Sequence, residues 1–223
     1  MAEFDIGYPH GQTKRIVPLG FRSIRNRITA FELDREYYDG ARENGYGGYH
    51  YDGRWKQIIP VLVQRYGLTS SSRILEVGCK KGFFLHDLKE MLPGITVRGV
   101  ENHFYPLENG MESVKADVQL ATYQELPFLD YSFDFVMAFA SIYMLNLRDV
   151  MAAIREIQRV GNGKSYITVG AYRTPEERDL FHDWTVLGTT VLHVDEWLEV
   201  FKLCGYTGDY YFTTASSLHL VRE

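Results

Sequence analysis

The amino-acid sequence predicts a doubly wound α/β domain with a mostly parallel sheet and helices on both faces. From Trp55 onward, short apolar segments alternate with segments whose apolar residues recur at the spacing of a helix. The short segments are apolar almost throughout, which is typical of strands buried on both faces of a sheet. Alternation of this kind implies right-handed strand–helix–strand crossovers and therefore parallel strands.

Each element follows from its own pattern. The first helix begins at Trp55, continues through apolar residues at helical spacing to Tyr66, and ends at Gly67. The strands are predicted at residues 73–77, 96–100, 118–122, 133–139, 165–171, 210–214 and 218–221. Further helices are predicted at residues 83–92, 150–160, 176–186 and 195–203. The last two strands are close together in the chain, which predicts an antiparallel strand at the C-terminal edge of the sheet.

Composition places the chain among ordinary soluble globular proteins. Its 223 residues suit one large domain, and 45% of them are hydrophobic and 24% charged. The formal net charge of −5 argues against a protein that binds nucleic acid through bulk electrostatics. No apolar run is long enough for a membrane span, the N-terminus lacks the pattern of a secretory signal, and the two cysteines suit a reducing compartment. We therefore expect a cytoplasmic protein with no membrane or nucleic-acid partner.

Residues 1–54 differ in character from the domain predicted at residues 55–223. A basic patch at residues 21–27 is favoured as a solvated helix face over a contact for a phosphate or carboxylate. It is followed by a glycine- and tyrosine-rich segment at residues 44–54, in which Arg54 is predicted to anchor an anionic substrate group. Each glycine disfavours a helix by about 1 kcal/mol, so no regular structure is expected in that segment. Glycines that permit motion beside aromatic side chains favour a lid over a ligand, and an ordered surface loop is the alternative. The arm residues predicted to face a substrate are Tyr46, Tyr49, Tyr51 and Arg54.

The turn after the first strand of the domain is the first place to look for a ligand, because ligands of open α/β sheets bind beyond the carboxyl ends of the strands. Gly78 and Gly82 in this turn allow a ligand to approach the backbone. Glu101, at the end of the next strand, is placed to accept both hydroxyls of a ribose. A phosphate-binding GxxxxGK[ST] loop is absent, and the dinucleotide fingerprint fails because Lys80 and Phe83 stand at two of its glycine positions. A tight turn without a ligand remains the structural alternative.

These residues resemble a known family. The segment Ile74–Gly82 is similar to the E/D-x-G-x-G-x-G motif of class I S-adenosylmethionine-dependent methyltransferases. Glu101 follows at the family's spacing, and Glu125–Val136 resembles the family's LPFPDxSFDxV segment. The resemblance covers about residues 55–170 and implies a Rossmann-like, seven-stranded fold with S-adenosyl-L-methionine as the cofactor and S-adenosyl-L-homocysteine as its product.

The resemblance also implies roles for individual residues. Glu76 would lie near the methionyl amino group of the cofactor, and Glu101 would bind its ribose. The full set of residues that it places at the cofactor is Glu76, Gly78, Cys79, Gly82, Glu101, Thr122, Tyr123 and Ala140. The chain departs from the family at Lys80, which replaces the middle glycine and implies either an ordinary φ or a strain of about 1 kcal/mol. It departs again at Thr122, where many members carry an acid for the adenine amine.

Methyl transfer from a sulfonium requires mainly alignment, exclusion of water and removal of a proton from the nucleophile. The acceptor is expected beyond the fourth strand of the domain, where Tyr143 is either an acceptor-site residue, a weak base if its pKa is lowered, or a packing residue. Four histidines are scattered without a pairing suited to a metal, so no metal site is expected. They are His50, His103, His182 and His193.

The sequence therefore predicts a methyltransferase that acts on an oxygen or nitrogen atom of a small polar molecule, such as a sugar or a natural-product intermediate. One rival interpretation is a methyltransferase-like protein that binds the cofactor or a partner without turnover. A second rival, a nicotinamide-dependent oxidoreductase, is disfavoured by the failed dinucleotide fingerprint. The sequence leaves the oligomeric state open, a homodimer included.

Overall fold

Seven parallel strands form the central sheet of the computed structural model, which describes residues 1–9 and 13–222. The strands are β1 (Arg15–Ile16), β2 (Arg73–Val77), β3 (Thr96–Glu101), β4 (Val118–Leu120), β5 (Phe135–Ala138), β6 (Ser165–Tyr172), β7 (Leu192–His193), β8 (Asp209–Thr213) and β9 (Leu220–Val221). The helices are α1 (Ile24–Phe31), α2 (Arg35–Tyr38), α3 (Ile59–Tyr66), α4 (Phe83–Met91), α5 (Phe104–Glu108), α6 (Leu147–Val160), α7 (Pro175–Trp184) and α8 (Val194–Leu203). Short 3₁₀ helices occupy Arg54–Gln57, Glu112–Asp117 and Ile142–Met144.

The sheet is doubly wound, as the sequence predicts. Its strand order is β4-β3-β2-β5-β6-β7, and β8 pairs along β6. The chain builds one half of the sheet outward from β2 to β4 and the other half outward from β5, so the direction of winding reverses between β2 and β5. Ligands of such sheets bind at this switch point, beyond the carboxyl ends of the two central strands. The predicted class of fold is confirmed.

Helices cover both faces of the sheet because packing there removes their apolar stripes from water. On one face, α3 and α4 bury Leu62 and Leu88 against the sheet. On the other face, α6 and α8 bury Ile154 and Trp197. Burial of a large apolar side chain stabilises the fold by roughly 1.5–3 kcal/mol, so these two layers hold the strand ends in place.

The predicted antiparallel strand at the C-terminal edge is wrong. β8 runs parallel to β6, with Tyr166 opposite Asp209 and Gly170 opposite Thr213. The reason is that α8 carries the chain back along the face of the sheet before β8 begins, and a helical crossover produces a parallel strand. β9 leaves the central sheet altogether and pairs in parallel with β1 of the N-terminal arm.

The N-terminal arm lies over the carboxyl edge of the sheet. α1 and α2 begin at the capping side chains of Ser23 and Asp34, and residues 44–53 carry no helix or strand, as predicted. The carboxylate of Asp39 ties the arm to the domain, because it accepts hydrogen bonds from Lys81 Nζ (2.7 Å) and the Tyr105 hydroxyl (2.7 Å). No helix within the described ranges is long and apolar enough to cross a bilayer.

Candidate active site

The turn between β2 and α4 needs glycine at its first position. Gly78 has a φ of +79°, and a Cβ placed there would lie less than 3.0 Å from the Cβ of Ser141. The backbone N–H groups of Gly78 and Cys79 both donate to the carbonyl of Val100, at 2.8 and 3.1 Å. These bonds lock the turn against β3, so its backbone faces the switch point of the sheet.

Lys80, which stands where the family has a glycine, adopts a left-handed conformation with a φ of +52°. The chain therefore accepts the strain of about 1 kcal/mol that this conformation costs a residue with a Cβ. Its side chain is buried and its ammonium donates to the carbonyls of Phe139 (2.9 Å) and Gly78 (3.3 Å). A lysine ammonium thus lies directly over the turn that the sequence assigns to a ligand.

Glu101 is a buried carboxylate at the carboxyl end of β3. It accepts hydrogen bonds of 2.9 Å from the backbone N–H groups of Lys80 and Asn102 and from the hydroxyl of Tyr123. These donors leave one of its oxygens, Oε2, with a single bonded partner, so it retains acceptor capacity for a hydroxyl group. Fixed donors around a buried acid hold it in a single orientation.

Two cavities meet at this turn. The smaller has a volume of about 160 Å³, and the larger has a volume of about 530 Å³. Residues of the smaller cavity that carry the argument are Gly78, Glu101, Asn102, Tyr123 and Ser141. Those of the larger cavity include Tyr46, Tyr49, Arg54, Glu76, Tyr143 and Trp184. The residues that line both cavities form the partition between the two spaces; they are Tyr37, Lys80, Ala140, Met144 and Leu187.

Glu76 is buried on the larger side of this partition, and its Oε2 has no hydrogen-bond partner among the described residues. Burial raises the pKa of this carboxyl to about 8, although the positive charge of Lys80 opposes the shift. A cationic group beside this buried acid would stabilise the ionised form and pair with its free oxygen. The carboxyl that the resemblance assigns to the methionyl ammonium is therefore buried and retains acceptor capacity.

The tyrosines of the larger cavity are hydrogen-bonding and packing groups at neutral pH. Burial raises the pKa of Tyr46 to about 12 and raises that of Tyr49 well above its ordinary value. Tyr143 lines the cavity and is also buried, and burial raises its pKa too. The hypothesis that Tyr143 acts as a weak base through a lowered pKa is therefore wrong. Desolvation disfavours the phenolate.

Several residues predicted at the site face elsewhere. Tyr51 lies outside both cavities and donates from its hydroxyl to Asp87 on α4 at 2.6 Å. A Cβ on Gly82 would meet Val114 at 2.7 Å, so this glycine allows packing against a neighbouring segment. Cys79 is buried beneath the turn, and Thr122 is exposed; neither lines either cavity.

The structure also brings in Arg15 and Arg42, which sequence reasoning missed, and Arg22, for which it favoured a solvated helix face. Arg15, Arg22 and Arg42 from the arm line the larger cavity. The sequence favours a solvated helix face for the basic patch, but Arg22 is only 6% exposed. It is buried because its guanidinium donates to the carbonyls of Trp184 (3.1 Å) and Arg42 (2.8 Å). The basic patch itself was the available signal.

One cluster with metal-ligand chemistry occurs in the described part of the chain, on α4. Ligand atoms of His86, Asp87 and Glu90 lie within 4.8 Å of one another. The ammonium of Lys56 lies 2.6 Å from Glu90 and 4.0 Å from Asp87. The Lys56 cation therefore already lies at this cluster, in which His86 is half-buried, Asp87 is buried and Glu90 is exposed.

Comparison with known proteins agrees with the geometry. Residues 75–169 match the family described as a methyltransferase domain. No curated protein matches the chain. Among solved structures, a chain in the complex between the Haloferax volcanii Trm112 methyltransferase activator and a putative methyltransferase is 18% identical, with 82% of this chain and 77% of that chain covered and a TM-score of 0.55. The YcgJ protein from Bacillus subtilis is 18% identical over 66% of each chain, with a TM-score of 0.52.

A putative methyltransferase from Bacillus halodurans is 14% identical, with 66% of this chain and 68% of that chain covered and a TM-score of 0.51. At these identities the structures show the fold, and the family match supplies its class. Residues 75–169 therefore match the methyltransferase-domain family within a fold that solved methyltransferase structures share.

S-adenosylmethionine is the cofactor that the resemblance to methyltransferases implies, and the described residues suit it. Glu101 offers an acceptor for a ribose hydroxyl on the smaller side, and the unpaired oxygen of Glu76 offers a partner for an ammonium on the larger side. Lys80 lies at the boundary of the two cavities, where its ammonium donates to the carbonyls of Gly78 and Phe139.

Proposed function

We propose that the protein transfers a methyl group from S-adenosylmethionine to an oxygen or nitrogen atom of a small polar molecule bound in the larger cavity. The observation that carries this proposal is the meeting of two cavities at the β2–α4 turn. One is lined by the acid and backbone groups suited to a nucleoside, and the other by aromatic and cationic side chains suited to a polar acceptor. The two free, buried cysteines suit the reducing cytoplasm as its location.

The cofactor, when bound, supplies a methyl group that is already activated by its sulfonium. The protein's contribution is to position the cofactor. Glu101 would orient its ribose, and the ionised carboxylate of Glu76 would hold its ammonium. Aromatic side chains of the arm, Tyr46 and Tyr49 among them, exclude water from the cavity. Holding two reactants in line is worth several kcal/mol of the barrier, so a domain of this kind needs few reacting groups.

The base that removes a proton from the acceptor is an imidazole or water. His50 lines the larger cavity, and imidazole is the general base that enzymes use most often. The tyrosine hydroxyls of the cavity, with their raised pKa values, act as hydrogen-bond donors to the acceptor.

The test has two parts. Calorimetry with S-adenosylhomocysteine measures cofactor binding, with NAD as the control for the oxidoreductase interpretation. Transfer of labelled methyl from S-adenosylmethionine to a panel of small acceptors with hydroxyl or amine groups measures turnover. Binding of S-adenosylhomocysteine with a His50-dependent transfer to one class of acceptor supports the proposal, and preference for NAD contradicts it.

A protein that binds the cofactor or a partner without turnover is the second candidate. Lys80 favours it, because its ammonium lies over the carbonyls of Gly78 and Phe139 at the junction of the cavities. This candidate predicts measurable binding of S-adenosylhomocysteine and no transfer to any acceptor of the panel.

A further inference from the structure

The larger cavity carries an excess of positive charge on one wall. The guanidinium-bearing residues Arg15, Arg22 and Arg42 line it, together with Arg54 on another side. In the described part of the chain, Glu76 is the carboxylate that lines this cavity, and its pKa of about 8 leaves it mostly neutral at pH 7. The field inside the cavity is therefore positive, which concentrates anions there.

Arg22 is the most informative of these residues. It is 6% exposed, and its two hydrogen bonds go to the neutral carbonyls of Trp184 and Arg42. Within residues 1–9 and 13–222, no carboxylate lies within 4.0 Å of the guanidinium of Arg22 or of Arg42. Carbonyls orient a guanidinium and leave its charge in place, so a buried cation here is compensated only in part.

Burial and neighbouring positive charge lower the pKa values of two of these arginines. Burial and the charge of Arg42 lower the pKa of Arg22 to about 10. Burial and the same neighbour also lower the pKa of Arg15. Guanidinium groups are charged at neutral pH, and like charges brought together around a cavity favour an anion between them.

Arg54, the residue that the sequence assigns to an anionic substrate group, has a different environment. Its guanidinium is already paired with Asp52, with Nε 2.9 Å from each carboxylate oxygen. Its charge is neutralised within the arm, so the positive wall belongs to the other arginines.

We propose that Arg22 and Arg42, with Arg15 beside them, bind the anionic group of the acceptor, a carboxylate or a phosphate. This inference rests on the proposed function, because it names the class of acceptor for the same cavity. Guanidinium groups bind both anions through paired, charge-assisted hydrogen bonds. The aromatic residues Tyr46, Tyr49 and Trp184 of the same cavity suit a flat body attached to that group.

The first experiment needs no cofactor and no turnover. Benzoate and phenyl phosphate are titrated into the full chain at pH 7 and followed by calorimetry, with neutral benzamide as the probe of the same shape. At least one anion is expected to bind about tenfold more tightly than benzamide, which corresponds to about 1.4 kcal/mol. Equal binding of all three probes, or binding of none, overturns the inference.

Variants assign the anion to its partners. Arg42→Gln alters an exposed arm residue, and we expect it to weaken binding of the preferred anion about tenfold, a loss on the scale of a charge-assisted hydrogen bond. Arg22→Gln should weaken binding of the preferred anion at least as much. If this variant does not fold, Arg22→Lys, which keeps the charge, is measured in its place. Arg25→Gln is the matched control, because Arg25 is exposed on α1 of the same arm and lies outside the cavity. Unchanged affinity in a folded Arg42→Gln protein overturns the assignment.

The two proposals fail separately. If the unaltered protein binds S-adenosylhomocysteine and transfers methyl but binds the anions no better than benzamide, the anion site alone is overturned. Anion binding that depends on Arg22 and Arg42, in a protein without methyl transfer, overturns the proposed function and leaves the anion site standing.

Discussion

The smaller and the larger cavity of this protein are built in different ways. Most polar residues of the smaller cavity come from the ends of consecutive strands, between Gly78 and Ser141, within the segment that matches the methyltransferase domain, and the arm adds Tyr37 and Tyr38. The larger cavity is assembled from the N-terminal arm, the switch point of the sheet and residues 184–187 after α7. The cofactor side is therefore encoded locally, whereas the acceptor side depends on contacts such as that between Arg22 and Trp184, which are 162 residues apart.

The largest expected effect tests how tightly the cofactor side is built. In Gly78→Ala, the new Cβ would lie less than 3.0 Å from Ser141 at a φ that disfavours any Cβ. We expect binding of S-adenosylhomocysteine to fall about a hundredfold, or about 2.7 kcal/mol, because the turn must shift. Gly67→Ala is the matched control: its φ is also positive, but its Cβ would meet open space. Circular dichroism confirms that both variants fold, and similar calorimetric losses in the two would show that backbone strain alone is responsible.

Removal of the buried acid at the end of β3 should have the next largest effect. Glu101→Ala is expected to weaken binding of S-adenosylhomocysteine by roughly 1.5–3 kcal/mol, the scale of a hydrogen bond to a charged group. Tyr123→Phe is the control, because it removes one donor to Glu101 and leaves the carboxylate in place. An affinity that survives in the alanine variant would mean that the ribose lies elsewhere.

The pH dependence of cofactor binding probes Glu76. Its pKa of about 8 means that the carboxyl is protonated below that pH, whereas the cofactor's ammonium requires the ionised form. We expect the affinity for S-adenosylhomocysteine to rise with pH from 6 to 8, by up to about tenfold for each unit. Glu76→Gln should flatten the profile.

The same group gives an independent readout in the ligand-free protein. The unfolded chain releases this proton near its ordinary pKa of 4.5 and the folded chain near 8. Stability to denaturant should therefore decline between these values as pH rises, and decline less in Glu76→Gln. Parallel slopes for the two proteins would contradict the assignment.

Lys80 offers a test of the partition between the two cavities. Lys80→Gly removes the ammonium from the carbonyls of Gly78 and Phe139 and introduces the residue best suited to a φ of +52°. We expect S-adenosylhomocysteine to bind several-fold more tightly. Lys81→Gly does not serve as a control because Lys81 holds the arm, so Lys80→Met, which keeps the bulk without the charge, separates the two contributions. Weaker binding in both variants would show that Lys80 assists the cofactor.

The smallest expected effect concerns the arm. Asp39→Asn removes the charge that Lys81 Nζ contacts at 2.7 Å, and should increase hydrogen exchange in residues 44–54 with little change in the rest of the sheet. Asp52→Asn, which breaks only the exposed pair with Arg54, is the control. If S-adenosylhomocysteine and an acceptor fail to protect this segment in the unaltered protein, the arm is not a lid.

Local pattern was sufficient for most of the fold. Strand β2 was predicted with the bounds that the structure gives it. The predicted helix from Trp55 is a 3₁₀ helix at Arg54–Gln57 followed by α3, which ends at Gly67 as expected, where the φ is +64°. A short apolar run or an apolar stripe is a property of neighbouring residues, and the β2–α4 turn with Glu101 follows from their order along the chain. The same reasoning failed at β8, because closeness in sequence does not decide which edge of a sheet a strand joins.

The acceptor side was decided by the tertiary structure. The sequence placed Arg22 on a solvated helix face and Tyr51 over the substrate, yet Arg22 is buried against Trp184 and Tyr51 bonds to Asp87. The sequence showed that Lys80 replaces a glycine of the family motif, but it did not indicate that the ammonium of Lys80 lies at the boundary of two cavities. The sequence by itself determined the parallel sheet and the β2–α4 turn, since these depend on periodicity and short-range spacing, and its resemblance to a family indicated the class of the domain. The charge and shape of the acceptor cavity depend on which distant segments meet, and only the folded chain decides that.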